Sequence, residues 1–185
     1  ALKRGLFIEQ TTGVNPYKLG MIGSTDSHTG LATADEDNFF GKHSGAEPSA
    51  ERASSAQNLG TRQGRFGWQY LAGGYAAVWA RANIRAVLFD AMMKKEVYAT
   101  IGPCMIVRLF GGWDFTEADW KANWVKAGYA RGVPMGGDMK PGNGTPKFII
   151  SALKDPIGAN LDRVQMVKGW VDAGGKMHEK VFDVV

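Results

Sequence analysis

Glycine supplies 25 of the 185 residues, nearly double its usual share of about 7%. The glycines fall between short apolar runs. A backbone interrupted this often by residues that accept positive φ is suited to tight turns between short elements. Strands and loops are therefore favoured over long helices. The 44% apolar and 22% charged content belongs to a folded chain, one long enough to bury a core without covalent staples, as one domain or two small ones. Cys104 is the only cysteine, which excludes an internal disulfide. With three histidines beside it, four-cysteine and three-cysteine zinc sites are excluded too. The longest uncharged run near an apolar centre, residues 66–80, contains Gly73-Gly74 and is too short to cross a bilayer.

Along the chain, Leu2, Leu6, Phe7 and Ile8 alternate with Lys3, Arg4 and Glu9 before Gly13 and Asn15-Pro16, the pattern of a helix and its end. Residues 18–23 read as a short buried strand. It runs into Ser24-Thr25-Asp26-Ser27-His28-Thr29-Gly30, a polar, turn-rich segment of the kind that gathers ligands at the carboxyl end of a strand. Residues 31–74 are an irregular connection with helical hints at 35–40 and 48–57; connections of that length are usually functional or mobile. Behind Asn83, the spacing of Ile84, Val87, Leu88, Ala91 and Met92 predicts a helix closed by Lys94 and Lys95. Strands are expected at 98–100 and 105–110, around Gly102-Pro103, and at 148–153, 164–170 and 181–185, with a short helix over 116–128. The N-terminal residues lack the long apolar core and cleavage site of a signal peptide. They read as the middle of a helix, and 181–185 stop within a strand, so a piece of a longer protein is expected.

Asp26 and His28 sit two residues apart. On an extended backbone their side chains point the same way, with Cα atoms about 6.6 Å apart, so they could serve one metal ion or two neighbours. Zinc, iron and manganese all accept this pair, but a complete site needs further donors. The pattern is equally that of an Asx turn beside a hydrogen-bonded histidine. Lys42-His43, between Gly41 and Gly45, could hold an anionic group or move a proton, or could be plain surface loop.

Other motifs fail on chemistry. The acidic run Asp35-Glu36-Asp37 places Phe39 and Ala46 at the fifth and twelfth positions of a would-be calcium loop, where oxygen donors are required. Gly136-Gly137 and Gly142-Asn143-Gly144 precede no helix pattern, so neither cradles phosphate. No Gly-x-Ser-x-Gly elbow occurs. The net charge of +4 is spread without a basic stripe interleaved with aromatics, which speaks against specific nucleic-acid binding. Asn143-Gly144-Thr145 matches a glycosylation sequon, and His178, among charged neighbours, reads as surface decoration.

The segment Met21-Ile22-Gly23-Ser24-Thr25-Asp26-Ser27-His28-Thr29-Gly30 resembles the last metal-binding motif of the PHP superfamily, named for polymerase and histidinol phosphatase. Residues 36–43, 76–80, 96–100 and 111–115, in that order, resemble an uncharacterised PHP-like branch, domain-of-unknown-function family 3604, with similarity over nearly the whole chain. The resemblance implies an α/β plus β fold: the C-terminal end of a distorted (β/α)7 barrel over residues 1–102, then a β-rich, sandwich-like region over 103–185. It implies a metal-dependent hydrolase of the phosphoesterase kind, using metal-activated water, with Asp26 and His28 as metal ligands and Lys42 and His43 as candidate substrate contacts. Two or three divalent ions, zinc, manganese or iron, would be held in the intact protein, whose substrate would be a small molecule carrying a phosphoester. The superfamily's His-x-His motif and its other His and Glu ligands would lie upstream of residue 1, so this portion alone would be inactive. Relatives of this kind are often exported, which makes a periplasmic or extracellular location the expectation. A truncated barrel edge around Leu6, Met21 and Ile22 would favour a homodimer. The rival reading is a non-catalytic binding module over 103–185, with Trp113, Trp120 and Trp170 as either core or exposed platform.

Overall fold

The computed structural model describes residues 1–24, 28, 49–54, 56–57, 65–70 and 74–185. In chain order its elements are α1 (Leu2–Thr12), β1 (Ala56–Gln57), β2 (Arg65–Phe66), β3 (Tyr75–Val78), α2 (Arg85–Met93), β4 (Val97–Thr100) and β5 (Ile106–Gly112). They continue with α3 (Glu117–Lys121), α4 (Trp124–Arg131), β6 (Val133–Pro134), β7 (Lys147–Leu153), β8 (Gln165–Val171) and β9 (Met177–Asp183). Every strand pair among the described residues is antiparallel. The chain divides into two compact units, one of Ala1–Gly20, Met93–Glu96 and Ile106–Val185, the other of Met21–Met92 and Val97–Met105.

In the first unit, β5 lies between β6 and β7, with Phe110 opposite Ile149. Phe110, Phe115 and Ile149 form the buried cluster, and Trp124 and Val125 of α4 close over it. Phe110 is wholly buried, worth roughly 2–3 kcal/mol of apolar transfer. Trp124 and Tyr129 meet its ring edge-on, with centroids 6.1 and 5.0 Å away. The helix lies this low because residue 128 is glycine: a Cβ there would stand 2.5 Å from the Phe110 ring.

The single helix expected over 116–128 is two helices. The Thr116 backbone N–H and hydroxyl both donate to Asp119 Oδ2, at 2.8 and 2.9 Å. Asn123 then starts a new helix by accepting from the Lys126 N–H at 3.0 Å, so a second capping residue ends one helix where it begins the next.

β8 and β9 form a two-stranded sheet closed by the turn at Asp172–Lys176, where Gly175 has φ 80°. Asp172 Oδ1 accepts the N–H groups of Gly174 and Lys176, each at 2.9 Å. The strand expected at 181–185 therefore starts at Met177 and ends at Asp183, because the turn sets its register. α1 ends as its sequence indicates: Gly13, φ 79°, donates its N–H to Glu9 O at 2.8 Å. The helix packs on this hairpin, with Lys3 paired to Glu179 at 2.9 Å and Gln10 donating to Asp172 O at 3.0 Å. The β-rich character expected of the C-terminal region is thus present as two antiparallel sheets.

In the second unit, β3 and β4 pair from Tyr75–Thr100 to Val78–Val97, with α2 between them in sequence. The buried strand expected at 18–23 is absent. Leu19, Met21 and Ile22 are more than half exposed, and the chain approaches β3 where Gly23 donates to Tyr75 O and, just before the strand, Gly74 donates to Ser24 O. Of the helical hint at 48–57, the described residues 50–54 form turns, with Ser54 N–H on Glu51 O at 2.9 Å, and 56–57 belong to β1; residues 48 and 55 lie outside the described residues. The hint at 35–40 lies outside the described residues.

Candidate functional site

The root of the Asp26-Ser27-His28 segment is a tight backbone crossing. A Cβ on Gly23 would lie 2.6 Å from Thr100 O and 2.7 Å from Tyr75 O. One on Gly74 would collide with Thr100 O as well. Only glycine lets these backbones pass at residues 23 and 74. Thr100 closes the crossing; its side chain is buried, and its hydroxyl has no hydrogen-bond partner among the described residues.

Beyond that root, His28 is exposed and makes a single-residue β-bridge. Asp26, Lys42 and His43 lie outside the described residues. Among the described residues no three His, Cys, Asp or Glu side chains come together as a metal-binding group. One imidazole is short of a divalent ion's donor set, so the described residues alone do not fit a metal centre.

A cluster that the sequence reading missed lies on the β8–β9 hairpin. His178, expected as surface decoration, is half-buried and bonded through Nε2 to Asp172 Oδ2 at 2.7 Å. Its ring stacks on Trp170, with centroids 5.2 Å apart and planes 17° from parallel. The His178 hydrogen bond, with the backbone N–H groups of Lys176 and Gly174, holds the Asp172 carboxyl below its ordinary range. The missing signal was symmetry: residues 170 and 178 are equidistant from Gly174, so a hairpin turning there pairs them.

A second network joins Tyr129, whose hydroxyl donates to Glu96 Oε2 at 2.6 Å and accepts from Arg108 at 2.8 Å. The Arg108 guanidinium lies over the Phe110 and Tyr129 rings, 5.4 and 5.3 Å from their centres. Burial first, then the Glu96 bond, raises the Tyr129 phenol above its ordinary value.

None of the three tryptophans is fully buried. Trp113 is partly covered and donates Nε1–H to Lys140 O at 3.1 Å. Trp120 is about half exposed and rests on Trp124 at 5.5 Å. Trp170 is partly covered by its histidine. Among the described residues no helix is long and apolar enough to cross a membrane.

No curated protein and no solved structure matches the chain. A family model does, over residues 1–185. Its description is protein of unknown function (DUF3604), and the chain belongs to that family.

Proposed function

We propose that the chain is the C-terminal portion of a PHP-type, metal-dependent hydrolase acting on phosphoesters, in which Asp26 and His28 are metal ligands. The observation that supports this reading is the Gly23–Gly74–Thr100 crossing. It constrains the backbone at Gly23, three residues before Asp26 in sequence, and metal ligands need a supporting scaffold. A divalent ion, zinc, manganese or iron, would supply Lewis acidity and a bound water of lowered pKa. Asp26 would contribute a carboxylate oxygen and His28 an imidazole nitrogen. Lys42 and His43 would orient the anionic substrate and carry a proton. The remaining His and Glu donors, and the other strands of a distorted (β/α)7 barrel, would come from sequence preceding residue 1 in an exported protein.

The test is phosphatase activity of the intact protein on a simple phosphomonoester at neutral pH. Asp26→Ala and His28→Ala should each lower it about 100-fold or more. Undiminished rates in both variants would overturn the assignment. The second reading, a non-catalytic module over residues 103–185, is favoured by one observation, the partly exposed Trp170–His178 stack on the β8–β9 hairpin.

A further inference from the structure

Between β6 and β7 the chain runs through Gly142-Asn143-Gly144. The base of this loop is fixed. Trp113 Nε1–H donates to Lys140 O at 3.1 Å, a Cβ on Gly142 would stand 2.5 Å from the Trp113 ring, and Lys147 pairs with Gly112. The tip is open: Asn143 and Gly144 are exposed, and a Cβ on Gly144 would meet nothing within 4 Å. Among the described residues neither the Asn143 side chain nor the Gly144 N–H is hydrogen-bonded.

Gly144 has φ 89°, a conformation that residues with a Cβ rarely adopt. The turn itself therefore sets a glycine directly after an asparagine, and that neighbour matters chemically. The backbone nitrogen of the following residue can attack an asparagine Cγ within the same chain, and a side chain on that residue hinders the approach. Among the seven asparagines only Asn143 precedes glycine; the others precede Pro16, Phe39, Leu59, Ile84, Trp124 and Leu161. Pro16 has no N–H to lose. Two of these asparagines are also tied down: Asn15 donates to Glu9 Oε2 at 3.0 Å and accepts from the Tyr17 N–H at 2.9 Å, and Asn123 Oδ1 accepts from the Lys126 N–H at 3.0 Å.

We infer that Asn143 is a site of spontaneous covalent modification, where the chain deamidates through a cyclic imide. The Gly144 nitrogen loses its proton and bonds to Asn143 Cγ. The Cγ–Nδ2 bond breaks, and the amide nitrogen takes up a proton and leaves as ammonia. Water then opens the imide at either carbonyl: one opening leaves an ordinary aspartate, the other an isoaspartate whose backbone runs through the former side chain. Nothing is oxidised or reduced. Either product is a carboxylate in place of a neutral amide, which lowers the net charge from +4 by one unit.

The test is incubation of the full chain, made in a host without N-glycosylation, at mildly alkaline pH, followed by peptide mapping with mass spectrometry. The expected result is a mass gain of about 1 Da in the peptide carrying Asn143, as two separable products, one of them labelled by an isoaspartyl methyltransferase. Its rate should exceed that at every other asparagine at least about tenfold and lie within about tenfold of the rate in a free peptide spanning residues 141–147, as an open loop allows. Asn143→Gln, an exposed change that breaks no hydrogen bond, should abolish the labelling. Three results would overturn the inference: Asn143 still amidated when the free peptide has converted, another asparagine converting first, or Asn143→Gln labelled as fast as the native chain.

Discussion

β5 with β7 and β8 with β9 are each an antiparallel pair of seven-residue strands, but β9 carries four polar or charged residues where β7 carries two. Only the first is sealed. There α4 descends onto Phe110 because Gly128 offers no Cβ, and an aromatic core closes beneath it. On the hairpin, α1 meets one face through Lys3, yet Val167 and Val181 on that same face stay exposed, and on the other face Lys168 and Lys180 lie over Trp170 and Phe182. Strand composition already favours β5 and β7 as core over β9. Whether a helix can then approach closely is set at α4 by a single small residue outside the strands, Gly128.

The contrast is tested most severely at Phe110. Phe110→Ala should cost about 3–5 kcal/mol by leaving a cavity, lowering the melting temperature by about 10 °C in a chain of this size. Val167→Ala, at a position 60% exposed, should shift it by only about a degree or two. Equal costs at the two positions would break the distinction between a sealed and an open sheet.

Gly128→Ala separates helix propensity from packing. In an exposed helix the change would stabilise by about 1 kcal/mol; against Phe110 it should destabilise by about 1–3 kcal/mol through overpacking. Denaturant unfolding gives the sign, and a stabilised variant would mean that α4 does not lie so close.

On the hairpin, the Asp172 carboxyl titrates lower in the fold than in the unfolded chain, so its stabilisation is present above the ordinary carboxylate value and fades as pH falls through the depressed one. His178→Ala removes the largest cause of that depression. The acid unfolding midpoint should therefore move to higher pH, with a change in tryptophan fluorescence as the stacking on Trp170 is lost. An unmoved midpoint would show that Asp172 does not couple the turn to the stacked pair.

The smallest effect is expected from Tyr129→Phe. The phenol titrates higher in the fold, so its stabilisation is whole below the ordinary tyrosine value and is lost as pH rises through the raised one. The variant should lack that alkaline limb and lose about 1 kcal/mol at neutral pH. A full alkaline limb in Tyr129→Phe would assign it to other groups.

Much of the fold was legible because local signals were unopposed. Gly13 and Asn15-Pro16 end α1, the Ile84 to Met92 spacing forms α2, and the runs at 98–100, 106–110, 148–153 and 165–170 are strands. The failures involve partners that a linear reading does not contain. Residues 18–23 are apolar enough for a buried strand, yet they form no strand and Met21 and Ile22 stay exposed. The helix at 116–128 divides because Asn123 competes for the backbone as a cap. His178 looked like surface until the turn at Gly174-Gly175 brought it opposite Trp170. Of the candidate site, residue type and spacing named Asp26, His28, Lys42 and His43. Only His28 falls among the described residues, and the Gly23–Gly74–Thr100 crossing behind it was invisible because it joins three distant parts of the chain.

The exposed Met21 and Ile22 allow a separate check of the proposed homodimer. Size-exclusion chromatography should give a dimer that Met21→Ser/Ile22→Ser converts to monomer, and a native monomer would contradict it. The most direct measurement, however, is the metal content of the purified intact protein by elemental analysis, beside its Asp26→Ala and His28→Ala variants. The account predicts about two or three zinc, manganese or iron ions per native chain and a clear loss in each variant. A native protein free of metal, or variants that retain the full complement, would contradict it.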